Sequence, residues 1–558
     1  MRQWMVAAKK ADFYAIAEKF HVDPVVARII RNREVIGEKN IRIYLGGNLS
    51  DLSDPHQMKD MDRLVEILAQ KIRKQVHIRI IGDYDVDGVT SSHLFLTALR
   101  RVGAKVDVVI PHRIQDGYGL SLHLLQQAKE DGVDTILTCD NGIAAIDEIA
   151  WAKAQKMTVL VTDHHAVPFE EHEGRRTEKK SLADAVVNPH QQDCRYPYKE
   201  LCGAGVAWNV IRVLYENYDM DKREAEDLLD FVAMATVCDV MSLTGENRIL
   251  VKEGLKRIRH TKNIGLQALM QACNVQPENI SAYHFGYVLG PCVNATGRLD
   301  TARHALRLFE TGQETEAEEI ARDLVDLNQE RKELTLQGVE MAKKLCEEGG
   351  YENDPILVLF LPDVHESIAG LIAGRIREMY NRPVFVLTRG EEGVKGSGRS
   401  TENYSMYENM CGCAELFTKF GGHPMAAGLS LPAENVEKFR RKINENCPLT
   451  VEEVCPDIHI DMAMPVGYAS TELVHQFALL EPFGKDNPSP LFADRNLSIS
   501  RMWVIGKNRN VLRMSVLSEY GQPVPVIFFG DVETLFAYFT EKFGQEEVEN
   551  CLLYTSDA

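Results

Sequence analysis

The stretch VHIRIIGDYDVDG, residues 76–88, decides the fold. A short apolar run ends at Gly82, and three acids follow at alternate positions, Asp83, Asp85 and Asp87. The run reads as a buried strand, and the polar residues after it read as the turn into a helix. Residues i and i+2 project to the same side of an extended chain, so the three carboxylates are expected together, where they repel one another unless a cation lies among them. A calcium loop would need Glu at its twelfth position, which is Leu94 here, and a helix rather than a strand before it. An EF-hand is therefore excluded.

Outward from this stretch the same rhythm recurs. VDVVI (106–110), TILTC (135–139) and MTVLV (157–161) each lead into a polar turn and a helical segment. That alternation predicts an α/β domain with a parallel sheet covered by helices, spanning 76–300. Residues 1–75 carry apolar residues at three-to-four spacing and are expected to be helical. Residues 301–350 read as one long, charged connecting helix stopping at Gly349-Gly350. A second α/β domain is expected over 351–450, opening with PILVLFL (355–361). From 456 to 545 the pattern becomes alternating and turn-rich, with a hairpin about Gly506 and a strand at PVPVIFF, which predicts a small all-β module.

Composition narrows the class. The 558 residues are 45% hydrophobic and 26% charged, ordinary for a globular chain with sizeable cores. No uncharged apolar stretch approaches the roughly 18 residues of a membrane span. The start, MRQWMVAAKKADF, lacks the apolar core of a signal peptide, so a cytoplasmic protein is expected. The net charge of −19 argues against a non-specific DNA coat, while leaving room for a local basic groove on an acidic body. None of the 12 cysteines forms a CxxC pair, which points to reduced thiols rather than a zinc or disulfide framework.

The chemistry-bearing residues recur at strand ends. Asp140 follows TILTC, Asp163-His164-His165 follows MTVLVT, and Asp239 closes the apolar segment ATVC. Ligands of open α/β sheets sit beyond the carboxyl ends of the strands, so these turns should meet in one crevice. Asp140 alone would read as a helix N-cap. Beside the triple-acid turn, the set reads as a metal site. Carboxylates with imidazole and no thiolate suit manganese or magnesium. So many anionic groups exceed the needs of one ion and predict a pair, about 3.5–4 Å apart, that activates water against a phosphoryl group. Arg113, Arg298 and Arg399 lie beside glycines in what read as tight polar turns, and with Asn294 and His165 are the candidates for phosphate oxygens. GGHPMAAG (421–428) is a further candidate, its plainer reading being a close-packed turn and helix start.

Taken in order, DYDVDG, the CDNG acid, the DHH triplet and the Asp239 segment resemble the DHH phosphoesterase superfamily. NATGR (294–298), HESIAGLIAGR (365–375), GGHPMAAG and EPFGKDNPSPLF (481–492) resemble, within it, the RecJ family of single-stranded-DNA exonucleases over roughly residues 10–530. The resemblance implies a DHH domain and a DHH-associated domain joined by a long helix, with a nuclease cleft between them and an OB-like module that grips single strands. It implies that Asp85, Asp87, Asp140, His164 and Asp239 hold the metal ions, with Asp83 a ligand or a supporting residue. It also implies that His165, Arg113, Arg298, Arg399 and His423 contact phosphates, and that cleavage runs 5′ to 3′. A role in DNA repair and recombination, with helicase and single-strand-binding protein as partners, follows from the same likeness. Cys292 departs from it, standing where a basic residue is expected, which would remove one phosphate contact. The tail CLLYTSDA resembles no part of the family.

Two rivals remain at this point. An oligoribonuclease of the same superfamily would degrade dinucleotides, but lacks the β-module at 456–530. A non-catalytic replication scaffold would not need the intact acids at 85, 87, 140 and 239.

Overall fold

Alternate residues of His77–Ile81 (β1) enter two different cores, because helices cover both faces of the sheet it belongs to. Ile78 and Ile80 join Leu137 and Leu160 on one side, while Ile81 joins Ile136, Val159 and Val161 on the other. Strands buried on both faces read as continuous apolar runs, which is how this sheet announced itself in the sequence. The computed structural model describes residues 4–551 except 114–115, 117–118, 173–174, 300, 352, 391–392, 456 and 507–508.

The sheet is all-parallel, in the order β2-β1-β3-β4-β5, with β2 at Lys105–Val109, β3 at Thr135–Cys139, β4 at Thr158–Thr162 and β5 at Ala185–Val187. Helix α1 (Val86–Arg101) follows β1, and α2 (Gly203–Asn217) and α3 (Leu229–Cys238) pack beside it in the larger of the two cores. Beyond them come α4 (Ile264–Ala272) and α5 (Gly290–Leu299).

The expected single connecting helix is two helices, α6 (Arg303–Glu310) and α7 (Glu314–Glu348). The break falls at Thr311-Gly312-Gln313. There the Glu316 carboxylate takes hydrogen bonds from the Arg307 guanidinium and the Thr311 hydroxyl, tying the two ends together. Helix α7 leads to a mixed sheet in the order β9-β10-β8-β7-β6. Its strands are β6 (Leu357–Phe360), β7 (Val384–Arg389), β8 (Val394–Arg399), β9 (Lys419–His423) and β10 (Ala426–Leu431), with α8 (Glu366–Tyr380) between β6 and β7. GGHPMAAG is therefore the β9–β10 hairpin, with Gly421 opposite Gly428, and starts no helix.

By contacts the described chain divides into two units. One holds residues between 46 and 456 together with 482–488, and so includes both sheets and α1–α8. The other joins residues up to 45 to 457–481 and those from 489 on. In that second unit Ser498–Ile505, Val511–Leu517 and Pro523–Phe529 form an antiparallel sheet whose first turn contains Gly506, with helix Val532–Phe543 packed on it. Its N-terminal part is held by a parallel pairing of Trp4–Val6 with Ile458–Ile460 and by the buried Arg33–Asp461 ion pair. Among the described residues no helix is long and apolar enough to cross a membrane.

Candidate active site

At the carboxyl end of β1, Asp83 lies in the turn and Asp85 caps α1, accepting a hydrogen bond from Gly88 N at 3.0 Å. The helix starts at Val86, so the extended alternation expected for Asp85 and Asp87 does not exist. The carboxylates gather because the chain turns from strand into helix. Gly88 makes this turn possible, since a Cβ there would sit 2.5 Å from Asp83 backbone atoms. Asp87 accepts hydrogen bonds from Gly203 N at 2.6 Å and Ala204 N at 2.7 Å, the first amides of α2. Helix N-terminal amides favour an anion in this position.

Asp140 ends β3 with φ 61, a left-handed conformation uncommon outside glycine. It caps no helix, as the next one, Ile146–Ala154, begins after Ala145. Asn141 Nδ2 donates to the carbonyls of Ile81 and Cys139, which ties this turn to β1. Gly203 again leaves the space required, because a Cβ would approach Asp140 Cβ to 2.6 Å. At the end of β4, His164 Nε2 lies 3.1 Å from Asp140 Oδ1, 3.6 Å from Asp239 Oδ2 and 3.7 Å from Asp87 Oδ2. Asp239 comes from the C-cap of α3. Asp163 is not among the predicted ligands. Its Oδ1 accepts from His164 N, His165 N and His165 Nδ1, and its Oδ2 from Ile143 N, so it sets the pose of both histidines.

Seven of the predicted acid and imidazole residues thus meet in three overlapping groups: Asp83, Asp85 and Asp140; Asp87, His164 and Asp239; Asp140, His164 and His165. Burial and mutual repulsion push the carboxyls of Asp83, Asp85, Asp140 and Asp239 upward. Burial lowers His164. It would lower His165 too, but the Asp163 carboxylate overrides it and raises His165 to about 9. Asp83 Oδ1 is buried and accepts no hydrogen bond among the described residues. Crowded carboxylates that repel one another, one of them with a buried oxygen that meets no proton donor among the described residues, fit hard divalent cations.

The predicted phosphate-side residues divide. Arg298 is in helix α5, not in a turn. Its neighbour Gly297 is there because a Cβ would stand 2.5 Å from Tyr84 O. Burial and repulsion from Arg113, Arg331 and Arg399 lower Arg298 to about 10, and its Nη1 donates to Ser367 O. Arg113 lies over the Tyr84 ring at 4.9 Å. Arg399 ends β8 rather than occupying a turn, and Gly370 on α8 leaves room for its guanidinium, 2.8 Å from where a Cβ would be. Burial, then Arg377 and Arg113, lower Arg399 as well. A cleft of about 400 Å³ opens beside these groups, lined among others by Tyr84, Arg113, Ser367, Lys395, Ser397 and Phe420. Asn294 Oδ1 accepts from Val86 N at 3.2 Å, bracing the acid turn. His423 is exposed at the tip of the β9–β10 hairpin, in register across Ala426 from Arg399. Cys292 is buried between Cys273 and Asn328, so a side chain at this position faces neighbouring helices.

Three family models match in chain order: the DHH family, N-terminal domain, over 77–236, the DHHA1 domain over 353–447 and the RecJ OB domain over 460–546. The single-stranded-DNA-specific exonuclease RecJ of Haemophilus influenzae is 33% identical over 518 residues, covering 89% of this chain and 88% of its own length. The chain belongs to the RecJ family. The RecJ of Bacillus subtilis is likewise 33% identical over 91% of this chain, which spans 63% of that longer relative. RecJ of Thermus thermophilus, crystallised with Mn2+, superposes with a TM-score of 0.78 at 27% identity, over 95% of this chain and 74% of its own. The same Thermus protein has also been crystallised with Mg2+. Membership of this hydrolase family agrees with the parallel-sheet domain, the second α/β domain and the C-terminal antiparallel strands.

Proposed function

We propose that this chain is a metal-dependent exonuclease that digests single-stranded DNA from its 5′ end in DNA repair and recombination. The observation that carries the reading is the meeting of seven acid and imidazole side chains, six from three strand ends and Asp239 from the C-cap of α3, beside a cleft lined by Arg113, with Arg298 and Arg399 near that arginine. Asp83, Asp85, Asp87, Asp140, His164 and Asp239 would hold a pair of manganese or magnesium ions, and bound ions would supply an activated water and neutralise charge on the phosphoryl group. Asp140 and His164 each belong to two of the three groups, and of the two the Asp140 carboxylate, with two oxygens, is suited to serve both ions. The α2 amides fix Asp87, and Asp163 keeps the His165 ring oriented and positive at neutral pH, where it can meet a phosphate oxygen. Arg113, Arg298 and Arg399 would grip the phosphate before the scissile bond. Asn294 acts on the acid turn through Val86 N.

Long single strands would bind further on the OB module. There Arg513 lies over the Trp503 ring at 5.9 Å, and Arg495, Arg501 and Arg509 add charge. Lys507 lies outside the described residues. Aromatic platforms among basic residues bind single strands with little sequence preference. The 5′ polarity, the helicase and single-strand-binding protein partners and a cytoplasmic location rest on the family likeness. A comparison of end-labelled single strand, duplex and dinucleotide, each with and without Mn2+, tests the reading. Cleavage confined to the dinucleotide would favour an oligoribonuclease instead.

A further inference from the structure

Cys292 replaces a basic residue expected in the family, and its surroundings give the thiol a partner. Its Sγ lies 3.8 Å from Cys273 Sγ at the C-cap of α4. Cys292 is only 2% exposed, whereas Cys273 is partly open to solvent. We propose that Cys273 and Cys292 form a dithiol site that hydroperoxides oxidise to a disulfide, weakening the cleft's hold on DNA. The coupling to DNA rests on the function proposed above, while the disulfide itself does not.

The chemistry is complete with the peroxide as the only added reactant. The Cys273 thiolate attacks the O–O bond, giving a sulfenic acid and releasing an alcohol or water. The Cys292 sulfur then displaces the sulfenic hydroxyl, forming the S–S bond, and its proton leaves with that hydroxyl as water. The hydrogen bond from Cys292, with Lys332 nearby, holds the Cys273 thiol below its usual range, which favours the nucleophilic form. The sulfurs must close from 3.8 Å to about 2.05 Å. That closure draws α5 toward α4 and disturbs the contacts Cys292 now makes, with Val288 O at 3.3 Å and with Asn328 Nδ2, which donates to its sulfur.

The route to the cleft runs along two chains of contact. Asn328 Oδ1 holds the Arg331 guanidinium at 3.1 and 2.9 Å, and Arg331 in turn repels Arg298. On α5 itself Cys292 is followed by Asn294, which braces Val86, and by Arg298, which lies near the cleft's Arg113. A shift of this helix therefore reaches both the acid turn and a phosphate-side arginine.

The test uses the full chain, treated with hydrogen peroxide and then alkylated, with thiols mapped by mass spectrometry. Anisotropy of a 5′-phosphorylated single strand is measured in EDTA on the same samples. The proposal expects a Cys273–Cys292 linked peptide and an affinity several-fold weaker, both reversed by dithiothreitol and both absent in Cys273→Ser. Failure to link at peroxide doses that oxidise the exposed Cys411 would overturn the site. A link that leaves DNA affinity unchanged, where the reduced protein binds the strand, would overturn the coupling. If the reduced protein does not bind DNA at all, the function is what fails, while the linked peptide still decides the dithiol site.

Discussion

Asp140 is at once the most crowded acid of the site and one held in a left-handed backbone conformation, a combination that persists where surrounding structure enforces it. Its carboxyl is raised by burial and by Asp87, Asp85 and Asp239, so its ionised form opposes folding. For an acid raised in the folded state, this cost is absent at low pH and present above the unfolded pKa. Asp140→Asn should therefore raise the melting temperature of the metal-free protein at pH 8 and lose that advantage near pH 4, as followed by calorimetry in EDTA. The same repulsion predicts the effect of metal. Because ligands must be deprotonated, Mn2+ should raise the melting temperature of the wild type at pH 8 by more than at pH 5. A shift that is equal at both pH values would speak against carboxylate ligation. Most of the acids and histidines were legible in the sequence because three strand ends advertised them, and Asp239 because it closes an apolar segment. Asp163 was not, since nothing in Asp-His-His says which member ligates and which orients the others.

Among elements, the strands were readable from their apolar runs, whereas glycines misled. Gly297, Gly398 and the pair at 421–422 read as turns, yet they sit in helix α5, strand β8 and strand β9. Gly297 exists for close approach to the Tyr84 carbonyl, as Gly370 on α8 does to the Arg399 guanidinium, a long-range demand that local pattern cannot express. The break between α6 and α7 was likewise hidden, because it depends on Arg307 and Thr311 meeting Glu316. Gly297→Ala should cost about 1–3 kcal/mol by forcing α5 from Tyr84, as overpacking does. Gly374→Ala, in helix α8 with nothing within 4 Å of the added carbon, should instead stabilise by up to about 1 kcal/mol. Chemical denaturation of the two variants checks the contrast. Equal effects would mean that Gly297 is not there for the contact.

For the whole molecule, the division into an α/β unit and a second unit was only partly visible. The N-terminal helices look like a preamble to the first sheet, yet Phe13–Phe20 and Pro24–Asn32 belong with the C-terminal module. Pairings such as Arg33 with Asp461, far apart in sequence, leave no local trace. The module's own part in binding is testable at one side chain. Trp503→Ala should weaken a long single strand by about 1–3 kcal/mol, as loss of one stacked base does, and leave cleavage of very short oligonucleotides nearly intact. Unchanged affinity would make Trp503 an ordinary sheet residue. The central claim, that acids at strand ends form a metal-dependent nuclease centre, is tested most directly by one assay. Hydrolysis of a 5′-phosphorylated single strand is followed for wild type and Asp140→Ala in saturating Mn2+ and in EDTA, with folding verified by melting. The account predicts rapid release of mononucleotides by the wild type in Mn2+ alone and none by the folded variant. Near-normal turnover by Asp140→Ala, or full activity in EDTA, would contradict it.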